Sequence, residues 1–179
     1  MARLFAFLRA INVGGHTVTI AKLQGIFEDL GFDDVETFIA SGNVIFTSPS
    51  KTLPALERKI ETGLQKSLGY EVKTFIRTAP ELVAVAGYKA FPESRIRASG
   101  AFCVGFLAQP LDAAAKKSFL ALKSAIDDFS VHGREVYWLC EKRQHESKFS
   151  NVRFEKATGA KVTFRNATTV AKLAAKAQA

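Results

Sequence analysis

The stretch VETFIASGNVIFT, residues 35–47, decides the fold of the first half of the chain. Residues 35–41 and 44–47 are rich in β-branched and aromatic side chains, and they flank the dipeptide Gly42-Asn43. A Gly-Asn dipeptide between two such runs is typical of a tight turn, so the stretch predicts a β-hairpin. The topology then depends on what lies on either side of this hairpin.

An amphipathic helix is predicted on each side of the hairpin. Thr19 caps the first helix, which ends at Gly31, and the second begins near Pro54. Alternating apolar residues predict a strand at 3–9 and another at 72–77. The resulting order is β-α-β-β-α-β, in which right-handed crossovers place the third strand between the first and the second.

The second half of the chain repeats this order. Strands are predicted at 102–107, 129–132, 136–140 and 161–165, and helices at 113–125 and 149–157. We therefore predict an α+β fold with two tandem ferredoxin-like (split βαβ) halves, antiparallel sheets and a C-terminal helix. The predicted domains are a first half at 1–78, a connector with a short helix at 79–100, and a second half with the C-terminal helix at 101–179.

Composition excludes several classes of protein. No apolar stretch approaches the roughly 20 residues of a membrane helix, and no signal peptide is evident, so we expect a cytoplasmic protein with no membrane partner. Cys103 and Cys140 lie in alternating apolar segments and are predicted to be small buried thiols. The three histidines lack the spacing of metal ligands, so neither a metal nor a cofactor is expected.

The chain is strongly basic, with a formal net charge of +8. Such a balance favours a phosphate-bearing small molecule or a nucleic acid over a cationic partner. The lysines and arginines are dispersed rather than gathered in a nucleic-acid-binding tail. The charge alone therefore does not choose between these two partners.

A candidate anion site is predicted at one edge of the first sheet. The end of the first strand and the tip of the hairpin meet at this edge in a split βαβ unit. Paired glycines let successive backbone N–H groups point into one concavity, a nest that can hold an anion, although loops also need glycine simply for positive φ. The residues brought together are Asn12, Gly14, Gly15, Ser41, Gly42 and Asn43.

An aromatic face is predicted on the same sheet. Alternation places on it Phe5, Phe7, Phe38 and Phe75, together with Arg9, Lys73 and Arg77. This chemistry resembles the stacking platform of RNA-binding domains, but the third strand lacks the sequence pattern of that class. Because so many phenyl groups are costly to leave in water, we expect the face to pack on the second half or on another chain as a homo-oligomer.

Short motifs follow one another over nearly the whole chain: LRAINVGG at 8–15, GF at 31–32, SGNV at 41–44, Arg77, SK at 147–148 and TFRN at 163–166. In this order they resemble a bacterial family known only as domain of unknown function 1697. The resemblance implies the paired α+β fold described above but no reaction. Ala10 departs from the glycine that family members usually have, and Ala167 from the tryptophan that commonly follows Arg-Asn.

The resemblance also implies a set of candidate ligand-binding residues, carried over position by position. These are Arg9, Asn12, Gly14, Gly15, Ser41, Asn43, Arg77, Lys148, Arg165 and Asn166, and the hairpin adds Gly42.

Three functions stay open at this point. The leading hypothesis is a non-enzymatic binding module for a phosphorylated small molecule or a nucleic acid. The second is an enzyme acting on a small anionic substrate, with Arg9 or Lys148 stabilising developing charge, although no nucleophile or base is evident. The third is a protein–protein interaction module that uses the aromatic sheet face.

Overall fold

The computed structural model of the chain describes residues 1–12 and 14–179, with all of their side chains except those of Ala40 and Ser41. The first half contains β1 (Ala2–Leu8), α1 (Ile20–Asp29), β2 (Asp33–Phe38), β3 (Ala40–Ser48), α2 (Leu53–Leu68) and β4 (Thr74–Thr78). Two helices follow, α3 (Ala79–Gly87) and α4 (Glu93–Ala98). The second half contains β5 (Ala101–Phe106), α5 (Ala113–Leu120), β6 (Asp127–His132), β7 (Glu135–Cys140), α6 (Asn151–Thr158), β8 (Thr163–Asn166) and α7 (Ala167–Gln178).

Each half forms its own four-stranded antiparallel sheet, and the predicted α+β fold with two similar halves is confirmed. The strand orders are β2-β3-β1-β4 and β6-β7-β5-β8, so β1 and β5 are hydrogen-bonded on both sides. Phe5 in β1 lies opposite Arg77 in β4, and Val104 in β5 lies opposite Arg165 in β8. The two arginines therefore occupy equivalent positions in the two halves.

Local capping sets the helix boundaries. The Oγ1 of Thr19 accepts a hydrogen bond from the N–H of Lys22 at 3.1 Å, which confirms the predicted start of α1. Asp112 opens α5 in the same way, accepting from the N–H of Ala115 at 2.7 Å. Gly69, with φ of 84°, ends α2 in the left-handed conformation that glycine adopts without steric cost.

The helices of each half pack on one face of its sheet. In the first half the buried core includes Leu4, Ala6, Leu8, Leu23, Phe27, Ile60 and Leu64. In the second half it includes Cys103, Phe119, Trp138, Cys140, Phe149 and Phe154. Burial of each large apolar side chain contributes about 1.5–3 kcal/mol, so each half has a substantial core of its own.

The hairpin turn lies earlier in the chain than the sequence predicts. β2 ends at Phe38 and β3 begins at Ala40, so Ile39 alone connects the two strands, with φ of 71°. The prediction that Gly42-Asn43 forms the turn is wrong, because both residues lie within β3.

A bulge explains this difference. Thr37 pairs with Val44 whereas the next residue, Phe38, pairs with Ala40, so β3 contains extra residues at this point. The Nδ2 of Asn43 donates to the carbonyl of Phe38 at 3.1 Å. This side-chain hydrogen bond bridges the irregular part of the ladder and lets the strand continue through a dipeptide that is typical of turns.

Two segments between the main elements also differ from expectation. The connector at 79–100, predicted with one short helix, contains a second, α4, whose first turn is closed by bonds from the N–H groups of Arg95 and Ile96 to the carbonyl of Pro92. Helix α5 ends at Leu120 and does not continue to 125. Ser124 accounts for this, because its hydroxyl accepts bonds from the backbone beyond it and so competes with the helix.

The chain divides into two compact units, residues 1–84 with 173–179, and residues 85–172. A charged cluster ties the end of α7 to the first unit. The guanidinium of Arg3 donates to the carbonyl of Lys176 at 2.8 Å, and the ammonium of Lys176 lies 3.0 Å from the carboxylate of Glu36. The last turns of the C-terminal helix therefore support the outer strand of the first sheet.

The phenyl groups predicted on the open face of the first sheet are buried within the chain. Phe5, Phe7 and Phe75 are at most 1% exposed, and Phe38 is half-buried. The first three rings present no free surface to a second copy of the chain.

Within the described residues, 1–12 and 14–179, no helix has the length and apolar character needed to cross a membrane.

Gly105 tests the packing of the second core. A Cβ at this position would lie 2.7 Å from both the Cε1 of Phe164 and the Cγ2 of Val136. Because overpacking a buried site typically costs about 1–3 kcal/mol, we expect Gly105→Ala to lower the free energy of unfolding by that amount. Urea denaturation measures the change.

Gly25→Ala is the matched control. Gly25 lies in α1, where an added Cβ would meet nothing within 4 Å, and alanine is favoured over glycine in a helix by about 1 kcal/mol. This variant should therefore be more stable than the parent chain. Equal stability of the Gly105→Ala variant and the parent would contradict the packing argument.

Candidate functional site

The register of β1 and β3 brings the predicted loop segments to the same end of the first sheet. Phe7, near the end of β1, pairs with Asn43 in β3. The β1–α1 loop and the β2–β3 connection therefore leave the sheet at one edge, which we call the loop rim. The side chain of Ser41 and the whole of Val13 lie outside the described residues, so the rim is built from their neighbours.

The β1–α1 loop turns through left-handed backbone. Ala10, Gly14 and Gly15 have φ values of 58°, 65° and 81°. The Oδ1 of Asn12 closes the loop by accepting from the N–H of Val18 at 2.9 Å. A Cβ on Gly15 would meet nothing within 4 Å, so the backbone angle and not a close approach calls for glycine there.

Tyr70, which the sequence did not single out, holds this loop against the end of α2. Its hydroxyl donates to the carbonyl of Ile11 at 2.7 Å, and its ring stacks on His16 with 3.8 Å between ring centroids. Desolvation by burial raises the pKa of Tyr70, so the hydroxyl stays protonated and remains a donor. The tyrosine thus fixes the loop at two points.

The polar side chains of the rim already serve the fold. Asn43 is 2% exposed and bridges the β3 bulge, and the Oδ1 of Asn12 is bonded within its own loop. Arg9 follows β1 directly, and its backbone N–H donates to the carbonyl of Lys73 at 2.9 Å. The exposed parts of the rim include the backbone of Gly14 and Gly15.

The predicted arginines of the last strands are built into their sheets. Arg77 is fully buried, and its Nη1 donates to the carbonyl of Ile76 at 3.0 Å. The Nη1 of Arg165 donates to the Oγ1 of Thr163 at 2.7 Å and to the carbonyl of Phe164 at 2.9 Å. Desolvation lowers the pKa of Arg165 to about 10, so the group stays charged at neutral pH.

Lys148 lies in a basic cleft of the second half. This cleft has a volume of about 390 Å³, and its charged lining consists of Lys123, Lys148, Arg153, Asp127 and Glu146. Lys123 is drawn toward Asp128, with 3.7 Å between the ammonium and the carboxylate. The cleft therefore mixes cations with two carboxylates.

Asp127 forms the polar base of this cleft. Its carboxylate accepts from the hydroxyls of Ser124 at 2.9 Å and Ser147 at 2.8 Å, and from the indole of Trp138 at 2.8 Å. Ser147 precedes α6 without capping it, because its hydroxyl donates to Asp127 and accepts from the N–H of Phe149 at 3.0 Å. Ser150 is the N-cap of that helix.

Asn166 lies in a larger cleft at one edge of the second sheet. Because the strands are antiparallel, the start of β5 meets the ends of β7 and β8: Ala101 pairs with Cys140, and Cys103 with Asn166. A cleft of about 630 Å³ opens at this edge. We call it the polar cleft, after its lining residues Ser99, Arg143, Gln144, Asn166, Thr168 and Thr169.

The charge in the polar cleft is positive. Its lining includes the cation Arg143 and no aspartate or glutamate. Arg143 is exposed, and its guanidinium forms no ion pair with any residue that the structure describes, whereas its backbone N–H donates to the carboxylate of Glu146 at 2.9 Å. Helix α7 begins at this cleft and has no acidic residue in its first turn, so the positive end of its dipole is uncompensated there.

Cys103 fixes two amide groups of the polar cleft. Its Sγ lies 3.5 Å from the Oδ1 of Asn166, to which the thiol donates, and 3.2 Å from the Nε2 of Gln144, from which it accepts. Burial raises the pKa of Cys103 to about 12, so the thiol stays protonated and remains a donor. The thiol thus holds the amide oxygen of Asn166, the residue that directly precedes α7.

Metal chemistry has no evident ligand set. Throughout residues 1–12 and 14–179, no group of three or more histidine, cysteine or acidic side chains is placed to hold an ion. Cys103 and Cys140 are both buried free thiols, which confirms the prediction made from their apolar surroundings.

The sequence did not identify most of the polar cleft. Ser99 follows α4, Arg143 follows β7, and Thr168 and Thr169 lie in the first turn of α7, so no local motif links them. Two features of the sequence point toward this cleft. One is Asn166 at the end of the TFRN motif, and the other is the rule that an antiparallel sheet carries loops at both of its ends.

Two split-βαβ halves with a polar cleft at one sheet edge define a duplicated α+β protein with a candidate anion site. The chain belongs to the family described as protein of unknown function, DUF1697, whose model matches residues 1–137. The resemblance drawn from the short motifs is thereby confirmed.

A solved structure shares this fold over the whole chain. It is described as the conserved bacterial protein SP0830 from Streptococcus pneumoniae, with a TM-score of 0.74, 24% sequence identity and coverage of 98% of each chain. At this identity the likeness concerns the fold. The comparison with curated proteins gave no match.

The thiol chemistry gives a first test of the site. At pH 8 we expect the unfolded chain to react with two equivalents of a disulfide reagent. Over the same time, neither cysteine of the native chain should react. The reason is that burial raises the pKa values of both Cys103 and Cys140. Release of one equivalent at the rate of a free thiol would contradict the protonated, buried Cys103.

The strained loop gives a second test. Ala10 has φ of 58°, a conformation that costs a residue with a Cβ roughly 1–2 kcal/mol. We expect Ala10→Gly to raise the free energy of unfolding by about 0.5–1 kcal/mol. The gain is smaller than the strain that is relieved, because glycine has more conformational freedom than alanine in the unfolded chain. Thermal and urea unfolding measure it.

Ala171→Gly is the control for this substitution. Ala171 is exposed in α7, where glycine should cost about 1 kcal/mol. The two alanine-to-glycine changes are therefore expected to have opposite signs. A loss of stability in both variants would show that Ala10 is not strained.

Proposed function

We propose that the protein is a non-enzymatic binding module for a phosphate-bearing small molecule, which is held in the polar cleft. One observation carries the proposal: the guanidinium of Arg143, which forms no ion pair with any described residue, borders a cleft whose lining contains no carboxylate. A cation in such surroundings favours an anionic ligand, because hydrogen bonds between ionised partners are about twice as strong as neutral ones.

The remaining polar groups suit a phosphate or its ester. Thr168 and Thr169 supply hydroxyl donors, and Gln144 and Asn166 supply amide groups whose positions the Cys103 thiol fixes in advance. A site whose groups are already in place loses less entropy on binding. The same groups can hold the hydroxyls of a sugar attached to the phosphate.

The dimensions favour a small molecule over a nucleic acid. Clefts of about 300–1,000 Å³ are typical of small-ligand sites, and the polar cleft has about 630 Å³. A nucleic acid needs a longer groove with many cations to neutralise successive phosphates. The polar cleft offers Arg143 as its cationic side chain.

The residues predicted from the family resemblance contribute unequally to this proposal. Asn166 is the member of that set that lines the polar cleft. Gly14 and Gly15 expose backbone at the loop rim, and their role as an anion nest stays a prediction. Lys148 belongs to the basic cleft, where Asp127 and Glu146 oppose an anion.

The chemistry of the cleft favours binding over catalysis. Its polar lining consists of hydroxyl, amide and guanidinium groups, and none of these is a strong base or nucleophile near neutral pH. The thiol of Cys103, with a pKa near 12, is protonated and inaccessible. An enzyme would need a group that titrates nearer the working pH.

Ribose 5-phosphate, glucose 6-phosphate and inorganic phosphate are suitable probes. We expect at least one of them, at millimolar concentration, to raise the melting temperature and to bind in a calorimetric titration of the full chain. Arg143→Ala should weaken that binding tenfold or more, since a hydrogen bond to a charged group contributes about 1.5–3 kcal/mol.

A further variant completes the experiment. Arg97→Ala is the matched control, because Arg97 is exposed on α4 and its side chain forms no ion pair with any described residue. The proposal fails if no probe binds, or if Arg143→Ala and Arg97→Ala weaken binding equally.

A further inference from the structure

A second cleft of about 630 Å³ lies beside the polar cleft, within residues 86–102 of the same unit. We call it the aromatic cleft, after the rings of Tyr88, Phe91 and Phe102 in its lining. Ile96 and Phe102 line both clefts. A ligand that passes these shared residues can therefore reach from polar groups to aromatic rings.

The rings of the aromatic cleft are held in place by one another. Tyr88 stacks on His132 with 4.1 Å between ring centroids and 9° between the planes. Phe91 meets Phe102 edge to face at 6.0 Å. Rings fixed in this way offer apolar surface to a ligand at little cost in conformational entropy.

The three rings differ in how much of their surface is exposed to solvent. Phe91 is 9% exposed, whereas Phe102 and Tyr88 are half-buried. Phe102 thus has accessible ring surface at the place where the two clefts meet. A planar group that stacks there would lie next to the polar cleft, because Phe102 and Ile96 line both clefts.

The aromatic cleft also carries polar groups at its margin. Lys89 and Glu93 belong to its lining, and Lys89 is exposed and forms no ion pair with any described residue. A charge of each sign lets the cleft bond both to acceptors and to donors on the edge of a planar heterocycle. A saturated hydrocarbon would leave both groups unused.

We propose that the ligand of the polar cleft is a mononucleotide, with its phosphate beside Arg143 and its base stacked in the aromatic cleft. This inference rests on the proposed function and adds to it the class of ligand. A phosphosugar would fill the polar cleft alone and leave the rings of Tyr88 and Phe102 in water. Stacking of a base on such rings is typically worth a factor of ten or more in affinity.

A ligand series on the unaltered full chain tests the inference. Calorimetric titrations compare AMP and UMP with ribose 5-phosphate, which lacks the base, and with adenosine, which lacks the phosphate. We expect AMP or UMP to bind at least tenfold more tightly than ribose 5-phosphate, and adenosine to bind more weakly than AMP. If ribose 5-phosphate binds as tightly as both nucleotides, the inference is overturned and the proposed function stands.

Substitutions separate the two clefts. Phe102→Leu keeps an apolar side chain in both clefts but removes the ring, so it should weaken AMP at least fivefold more than it weakens ribose 5-phosphate. Arg143→Ala should weaken both ligands. Equal loss for both ligands in Phe102→Leu would place the base elsewhere and overturn the inference, and the ligand series decides the matter without variants if this one fails to fold.

Two other outcomes are informative. If none of the phosphate-bearing probes binds, the proposed function fails and the nucleotide inference fails with it. A short single-stranded RNA that binds more tightly than AMP and loses affinity in both Arg143→Ala and Phe102→Leu would overturn the choice of a mononucleotide. It would instead assign both clefts to a polynucleotide.

Discussion

The hydrogen-bonded register of the central strand in each sheet is the constraint on which the rest of the structure depends. β1 and β5 pair with neighbours on both sides, so one slip would move every side chain to the other face. The pairing of Phe7 with Asn43 fixes the loop rim, and the pairing of Cys103 with Asn166 fixes the polar cleft. Both candidate sites are consequences of strand alignment.

Sequence patterns predicted the order of the elements because that order depends on local chemistry. Thr19 caps α1 where expected, Asp112 caps α5 in the same way, and Gly69 ends α2. The hairpin turn escaped prediction because the side chain of Asn43 bonds across a bulge, which a Gly-Asn dipeptide does not signal. The polar cleft escaped it because Arg143 and Asn166 line the same cleft only through the pairing of three strands.

The family motifs mark structural positions as often as exposed ones. Arg77 and Arg165 stand at matching positions in the two sheets, and both guanidinium groups donate to backbone carbonyls of their own strands. A buried cation is costly unless it is hydrogen-bonded, so both arginines have a structural role in this chain. Asn166 is different, because its side chain reaches an open cleft.

The thiol at the base of the polar cleft has a consequence for the surroundings in which the protein can work. Only the thiolate reacts readily with peroxides and disulfides, and Cys103 stays protonated because its pKa lies near 12. The amides of Gln144 and Asn166 would therefore keep their spacing as the redox poise of the compartment changes. A sulfur atom used in this way positions its neighbours without acting as an oxidation sensor.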